Sequence, residues 1–464
     1  MALVNQKQFE DSVLDTLLEY CKIPCLSPMF DAQWVQNGHI EAATQMLATW
    51  AKNRKLANFD VQIHRLDGRT PVITVTVEST GGGEGTAVLY GHLDKQPPLG
   101  EWSEGLEPFN PVRRGDRIYA RGVSDDGYSI FAALSALEAM EANNVAHSRC
   151  VVLIEACEES GSPDLEAYLD ALKDHLGDVE LLICLDSGAI SYDRLWVTTS
   201  LRGLASIELT VKVLEQGRHS GMASGVVPSS FRILRQLIER VEDSATGEIL
   251  LKELHVEIPE AVKESAANTA KEFGDMYQHE FPLVPGLTLM GNSPAGRILN
   301  KTWSPTLSVT GMGGIPTPDI AGNVLRAFTT ATLSFRLPPT ADSKLCEQAI
   351  VNAMTKDIPS NAQVTFKTEH ADGWNAPELA PWLATALEEA STDAYGKAPG
   401  FTGEGGSIPF LASLGKRYPG VQFLATGVLG PDSNAHGIDE MLDIPMAVGV
   451  VNSVITVLHA HANK

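Results

Sequence analysis

Three short runs constrain the fold of this chain most. Residues 86–90 (TAVLY), 150–155 (CVVLIE) and 181–185 (LLICL) are apolar almost end to end, with no polar alternation. A strand solvated on one face alternates in polarity, whereas one covered on both faces reads as a continuous apolar run. The three runs therefore predict buried strands, and the β-branched stretch at 72–77 adds a fourth. Helical periodicity lies between them, at 128–143 and 164–176. Strand alternating with helix predicts an α/β fold: a mixed, largely parallel sheet flanked by helices.

The rest of the chain divides around that pattern. Leu14, Leu17, Leu18 and Cys21 fall at helical spacing, so 9–22 reads as an opening amphipathic helix, with a second over 40–57. Near residue 203 the character changes. Residues 206–215 (SIELTVKVLE) alternate, as a half-exposed antiparallel strand does. Further strands are predicted at 306–310, 327–336 and 363–368, with helices at 230–240 and 342–354. From about 378 the α/β pattern returns, with a helix over 379–395, a strand over 421–425 and a final helix over 445–461. The predicted organisation is an α/β domain in two parts, 1–202 and 376–464, interrupted by an inserted α+β domain at 203–375.

Composition narrows the function. Lys+Arg number 35 against 58 Asp+Glu, a net charge of −23. Binding to nucleic acid or to an anionic membrane needs basic patches, so neither is expected as a partner. The six cysteines, Cys21, Cys25, Cys150, Cys157, Cys184 and Cys346, are scattered without a CxxC pair. In a chain this long they read as reduced buried thiols. The N-terminal residues lack the basic start and cleavage site of a signal peptide. No apolar run is expected to reach the ~20 residues of a membrane span. The expected location is cytoplasmic.

In parallel α/β sheets, sites form beyond the carboxyl ends of the strands. Each apolar run here leads into metal-ligating residue types: 86–90 into His92 and Asp94, 150–155 into Glu158 and Glu159, and 181–185 into Asp186. The strand at 421–425 leads, after a loop, into His436, and Asp125 and Asp126 stand immediately before a helix. Alone, each is an ordinary turn, loop pair or helix cap. Together they form a rim of imidazole and carboxylate without thiolate, which suits a catalytic divalent ion with an open coordination position. Two histidines and three carboxylates suit two ions sharing one bridging carboxylate.

The stretch 89–139, with CEESGS (157–162), LDSG (185–188), RHSGMASG (218–225), EGGSIP (404–409) and NAHGIDE (434–440), resembles the M20 metallopeptidases, nearest the cytosolic non-specific dipeptidases and carnosinases. The resemblance implies a catalytic α/β domain and an inserted lid and dimerisation domain. It implies that His92, Asp125 and Asp186 hold one ion, and Asp125, Glu159 and His436 the other. Zinc is expected first, with manganese or cobalt as alternatives. It implies that Asp94 hydrogen-bonds and orients His92, that Glu158 is the general base, and that the Asp125-Asp126 peptide is cis. His219 would stabilise the oxyanion in the partner subunit of a homodimer. Arg336 would bind a free substrate carboxylate, with Asn323, His370, Gly406 and Ser407 as further substrate contacts.

Two positions depart from the family pattern. A lysine and a glycine commonly follow the Asp-Asp pair; this chain has Gly127 and Tyr128. Gly403 stands where related dipeptidases usually carry a basic residue. These changes touch neither a ligand nor the base, so they bear on substrate choice. The expected reaction is hydrolysis of a dipeptide or similar amide beside a free carboxylate. The alternatives are an N-acyl-amino-acid amidohydrolase or carboxypeptidase using the same machinery, and a catalytically silent metal-binding scaffold.

Overall fold

The computed structural model describes residues 1–464, the side chain of Pro409 excepted. The chain divides into two compact units. One comprises Met1–Thr199, Ala376–Thr402 and Phe410–Lys464; the other comprises Ser200–Asn375 and Gly403–Pro409. The segment Gly403–Pro409 thus groups with the second unit, whereas sequence pattern assigned it to the first.

The first unit is built on a six-stranded sheet in the spatial order Phe59–His64, Val72–Val77, Arg149–Glu155, Thr86–His92, Val179–Cys184, Gln422–Ala425. The last four run parallel. Val72–Val77 is antiparallel to Arg149–Glu155, and Phe59–His64 is antiparallel to Val72–Val77. Every residue of Thr86–His92 is buried, which is why that run carries no polar alternation. Phe59–His64 was not foreseen. It is a partly exposed edge strand (FDVQIH) whose pattern is too short and too polar to stand out, and the helix expected over 40–57 stops at Lys52 before it. The helix expected over 164–176 is two, Leu165–Ala171 and Lys173–Leu176, broken where Leu172 leaves helical geometry.

Helix Ile444–Ala462 lies in the middle of this unit's core, packed on Pro381–Tyr395 and Ser129–Ala142. The Asp443 side chain caps it by accepting from Met446 N at 3.0 Å. By length and composition this one helix could cross a membrane, contrary to the reading from sequence. Its residues from Val450 to Leu458 are all buried within the protein, and such burial accounts for the all-round apolarity. A smaller antiparallel sheet sets Arg117–Tyr119 between Val112–Arg114 and Met441–Asp443.

The second unit has a four-stranded antiparallel sheet in the order Thr306–Gly313, Phe328–Leu337, Gly203–Lys212, Gln363–Ala371. The alternation read from sequence places Ala205, Ile207, Leu209 and Val211 inward, under helices Ser230–Ile238 and Ser343–Thr355. Helices Glu260–Phe273 and Pro294–Thr302 pack together around a small cluster of Ala266, Tyr277 and Ile298. Neither helix was anticipated, because few apolar residues mark their buried stripe.

Candidate metal centre

Four neighbouring parallel strands of the first unit deliver candidate ligands at their carboxyl ends. His92 closes Thr86–His92. Glu159 sits in the 3-10 turn Glu158–Ser160, just past Arg149–Glu155. Asp186 lies two residues beyond Val179–Cys184, and His436 lies in the loop that follows Gln422–Ala425. Asp125 comes from the turn before helix Ser129–Ala142. Close approach requires Gly91 beside His92: a Cβ there would stand 2.0 Å from Ser129 Oγ and 2.5 Å from Asp126 Oδ2.

These elements bring all five expected ligands together. His92 Nε2 lies 3.3 Å from Asp125 Oδ1 and 3.7 Å from Asp186 Oδ2. His436 Nε2 lies 3.0 Å from Asp125 Oδ2 and 3.2 Å from Glu159 Oε2. Asp125 thus turns one oxygen to each imidazole. The Asp125-Asp126 peptide is cis. Asp126, given no role from sequence, joins the cluster from behind: its Oδ2 accepts from His92 N at 3.2 Å, and it groups with His92 and Asp186.

The electrostatics follow from crowding acids away from water. Burial raises the Asp186 carboxyl to about 7. Burial, then the Asp186 charge, raises Glu158; burial, then Asp125, raises Glu159. Burial also acts against ionised Asp125, but the two imidazoles outweigh it and hold Asp125 well below the usual carboxylate range. Partial desolvation acts to lower the half-exposed His436, yet Asp125 and Glu159 overcome it and carry the imidazole up to about 11. Such a cluster is matched to cationic charge. Among the described residues, His92 Nε2, Glu159 Oε1 and Asp126 Oδ1 are buried without a hydrogen-bond partner. Orphaned nitrogen and oxygen atoms converging among carboxylates fit a divalent cation of the zinc, manganese or cobalt type.

Asp94 is fully buried and meets both His92 and the turn that carries the two glutamates. Its carboxylate accepts from Glu158 N at 3.1 Å and Glu159 N at 3.0 Å, fixing the turn that carries both glutamates. His92 Nδ1 meets the backbone carbonyl of Asp94 at 3.0 Å and also faces its carboxylate, 3.5 Å away.

The departure at Gly127 has a steric cause. A Cβ there would lie 2.3 Å from both the Gly122 carbonyl oxygen and the Tyr20 ring, so the place of the family's lysine is closed. Tyr128 is buried, and its hydroxyl donates to the Leu185 carbonyl beside Asp186. At Gly403 a Cβ would meet Ser200 Oγ at 2.6 Å and Thr302 Cβ at 3.0 Å, so a basic residue there would need its neighbours to move.

The second unit holds the other expected residues. Arg336 donates from Nη1 to Ser407 Oγ at 3.2 Å, and burial lowers its guanidinium. Among the described residues no carboxylate pairs with Arg336. Gly406, the neighbour of Ser407, is open, with no atom within 4 Å of a Cβ placed there. Arg202 donates to the Gly405 carbonyl at 3.2 Å and to Thr306 Oγ1 at 3.1 Å, which secures the segment carrying Ser407; sequence gave it no role. His219 is exposed, and its Nδ1 accepts from Gly221 N at 3.2 Å, which leaves Nε2 as the hydrogen-bearing nitrogen. Exposed Asn323 accepts from Ser220 N at 2.9 Å through its carbonyl. His370 is engaged by Glu347 Oε2 at 2.6 Å.

Comparison with known proteins accords with this chemistry. The model of peptidase family M20/M25/M40 matches residues 88–460. A cysteinylglycine-S-conjugate dipeptidase of Corynebacterium striatum is 27% identical over 382 residues, covering 80% of this chain and 79% of that protein. The Cys-Gly metallodipeptidase dug1 of Schizosaccharomyces pombe is 25% identical over 439 residues, covering 91% and 90%. The solved structure of the dipeptidase Dug1p from Saccharomyces cerevisiae superimposes with a TM-score of 0.81 at 22% identity, over 100% of this chain and 99% of that one.

Proposed function

Because the chain belongs to peptidase family M20/M25/M40 and is a metallopeptidase of the dipeptidase kind, we propose that it cleaves dipeptides bearing a free carboxylate at a two-ion centre. The observation that carries this reading is the disposition of Asp125 between His92 and His436. His92 and Asp186 would hold one ion, Glu159 and His436 the other, and Asp125 would serve both. When bound, two such ions polarise the scissile carbonyl and acidify the attacking water. Zinc is the first candidate, with manganese and cobalt compatible with the same donors.

The chain's own groups supply the rest. Glu158, on the same turn as Glu159 but outside the ligand set, takes the proton from the attacking water and returns it to the departing amine. Asp94 holds that turn through two backbone N–H groups. Arg336, which no carboxylate pairs among the described residues, receives the substrate carboxylate, with Ser407 and Gly406 beside it. Asn323 and His370 are further candidates for substrate contact.

His219, with Nε2–H as donor, stabilises the oxyanion in the partner subunit of a homodimer. Two features support self-association. Strand Thr306–Gly313 lies at a sheet edge. Met222 and Val226 of the same unit are 83% and 84% exposed. The buried, unpaired cysteines suit a reducing, cytoplasmic location.

A panel of dipeptides, longer peptides and N-acyl amino acids tests the substrate. Cleavage of dipeptides in preference to the others is expected. Cleavage of N-acyl amino acids alone would overturn the dipeptidase reading in favour of an amidohydrolase.

A further inference from the structure

The buried pair Arg121 and Glu440 stands outside the candidate ligand set and ties together the two loops that carry Asp125 and His436. Both side chains are almost wholly inaccessible, at 1% and 0% exposure. Glu440 Oε2 accepts from Arg121 Nη1 at 2.9 Å and from Gly122 N at 2.8 Å. Its Oε1 accepts from Ser124 N at 3.1 Å, Ser124 Oγ at 3.0 Å and Asp125 N at 3.2 Å. One carboxylate thus gathers five donors from residues 121–125. Arg121 reaches the other way and donates through Nη2 to the carbonyl of Gly437, the residue after His436.

The local fold explains how the residues meet. Met441–Asp443 pairs antiparallel with Arg117–Tyr119, and Ala120 N extends the ladder to the Glu440 carbonyl at 3.1 Å. That register sets the Glu440 side chain under the turn leading to Asp125. The His436 loop needs such support. Asp432, Asn434, His436 and Asp439 all have left-handed φ, between 51° and 66°. Each such residue is strained and persists only where surrounding contacts over-determine it.

We infer that Glu440, with Arg121, is a positioning residue for the second ion, holding Asp125 and His436 at the separation that one cation requires. This inference rests on the two-ion reading above. Buried ion pairs are weak contributors to stability but suit the fixing of a unique geometry. Outer partners of metal ligands typically change metal affinity about 10–100-fold when removed.

The test is titration of cobalt(II) into metal-free full-length protein, followed by calorimetry and by the cobalt absorption spectrum. Wild type is expected to take up two ions. Glu440→Gln keeps the shape but loses the charge; because Asp125 serves both ions it should weaken both, and the ion of Glu159 and His436 the more, about tenfold or more, with an altered spectrum. Ser124→Ala removes one donor of the five and should weaken the same ion by a smaller factor; it decides the matter if Glu440→Gln does not fold. A folded variant with wild-type affinities and spectrum at both sites overturns the inference. Wild type binding fewer than two ions removes instead the two-ion reading on which it stands.

Discussion

Tyr20 occupies the space that a side chain at Gly127 would need: a Cβ there would stand 2.3 Å from its ring. Tyr20 cannot swing aside freely. It is fully buried, its hydroxyl donates to the Leu93 carbonyl at 2.8 Å, and the Lys95 ammonium lies 4.2 Å above its ring. Lys95 in turn donates to the carbonyls of Tyr20, Cys21 and Ile23 at the end of helix Gln6–Cys21. Gly127→Lys, which restores the residue common in the family, should therefore lower stability. Overpacking of this kind costs about 1–3 kcal/mol. The thermal midpoint checks it, and a variant as stable as wild type would refute the steric account.

Asp125 and Asp186 should differ in what their loss removes. Asp125 Oδ1 and Oδ2 face different histidines, whereas of the two imidazoles Asp186 pairs with His92, at 3.7 Å. Asp125→Asn is expected to weaken both ions beyond the roughly 10–100-fold effect of an outer partner. Asp186→Asn should weaken only one. Metal-binding titrations of the two variants separate these outcomes, and identical behaviour would contradict a shared bridge.

Arg336→Met tests recognition of the substrate carboxylate. Loss of a charged hydrogen bond costs about 1.5–3 kcal/mol, so KM for a dipeptide should rise about tenfold or more with kcat little changed. Dipeptides with an amidated C-terminus should respond far less. An equal loss on both substrates would mark Arg336 as a structural residue.

His461 gives the fold a dependence on pH far from the candidate site. It is fully buried; its Nδ1 meets Ser148 Oγ at 2.6 Å, and its Nε2 faces Glu180 Oε2 at 3.4 Å. Burial, then the Lys464 charge, lowers the imidazole from 6.5 to about 4. The folded state therefore refuses a proton that the unfolded state accepts between these values. The stabilisation is complete above about pH 6.5 and is lost as pH falls through about 4, on the order of 3 kcal/mol in all. Urea unfolding across that range should show a shallower decline for His461→Gln than for wild type. Parallel declines would show that His461 does not titrate this way.

The parts of this molecule legible in its sequence are those whose signal is local. The all-apolar runs 86–90 and 181–185 announce the buried parallel strands Thr86–His92 and Val179–Cys184 because both faces are covered. The ligand residues follow directly from those strand ends. Contacts formed across the chain left no such trace. Glu440 looks like one more acid in a polar loop until the pairing of Met441–Asp443 with Arg117–Tyr119 carries it to residues 121–125. Asp126 was passed over for the same reason: its neighbours His92 and Asp186 come from separate strands. Helix Pro294–Thr302 escaped because only Ile298 and Thr302 are buried along it, too few to set a period.

The claim that this is a two-ion hydrolase is tested most directly by metal replacement. Chelator-stripped protein is titrated with zinc, and in parallel with manganese or cobalt, while bound metal per chain and hydrolysis of a dipeptide are followed together. The account predicts no turnover without metal, activity rising until two ions are bound, and a Glu158→Gln protein that binds the same two ions without turning over. Full activity at one ion per chain, or wild-type turnover by Glu158→Gln, would contradict it.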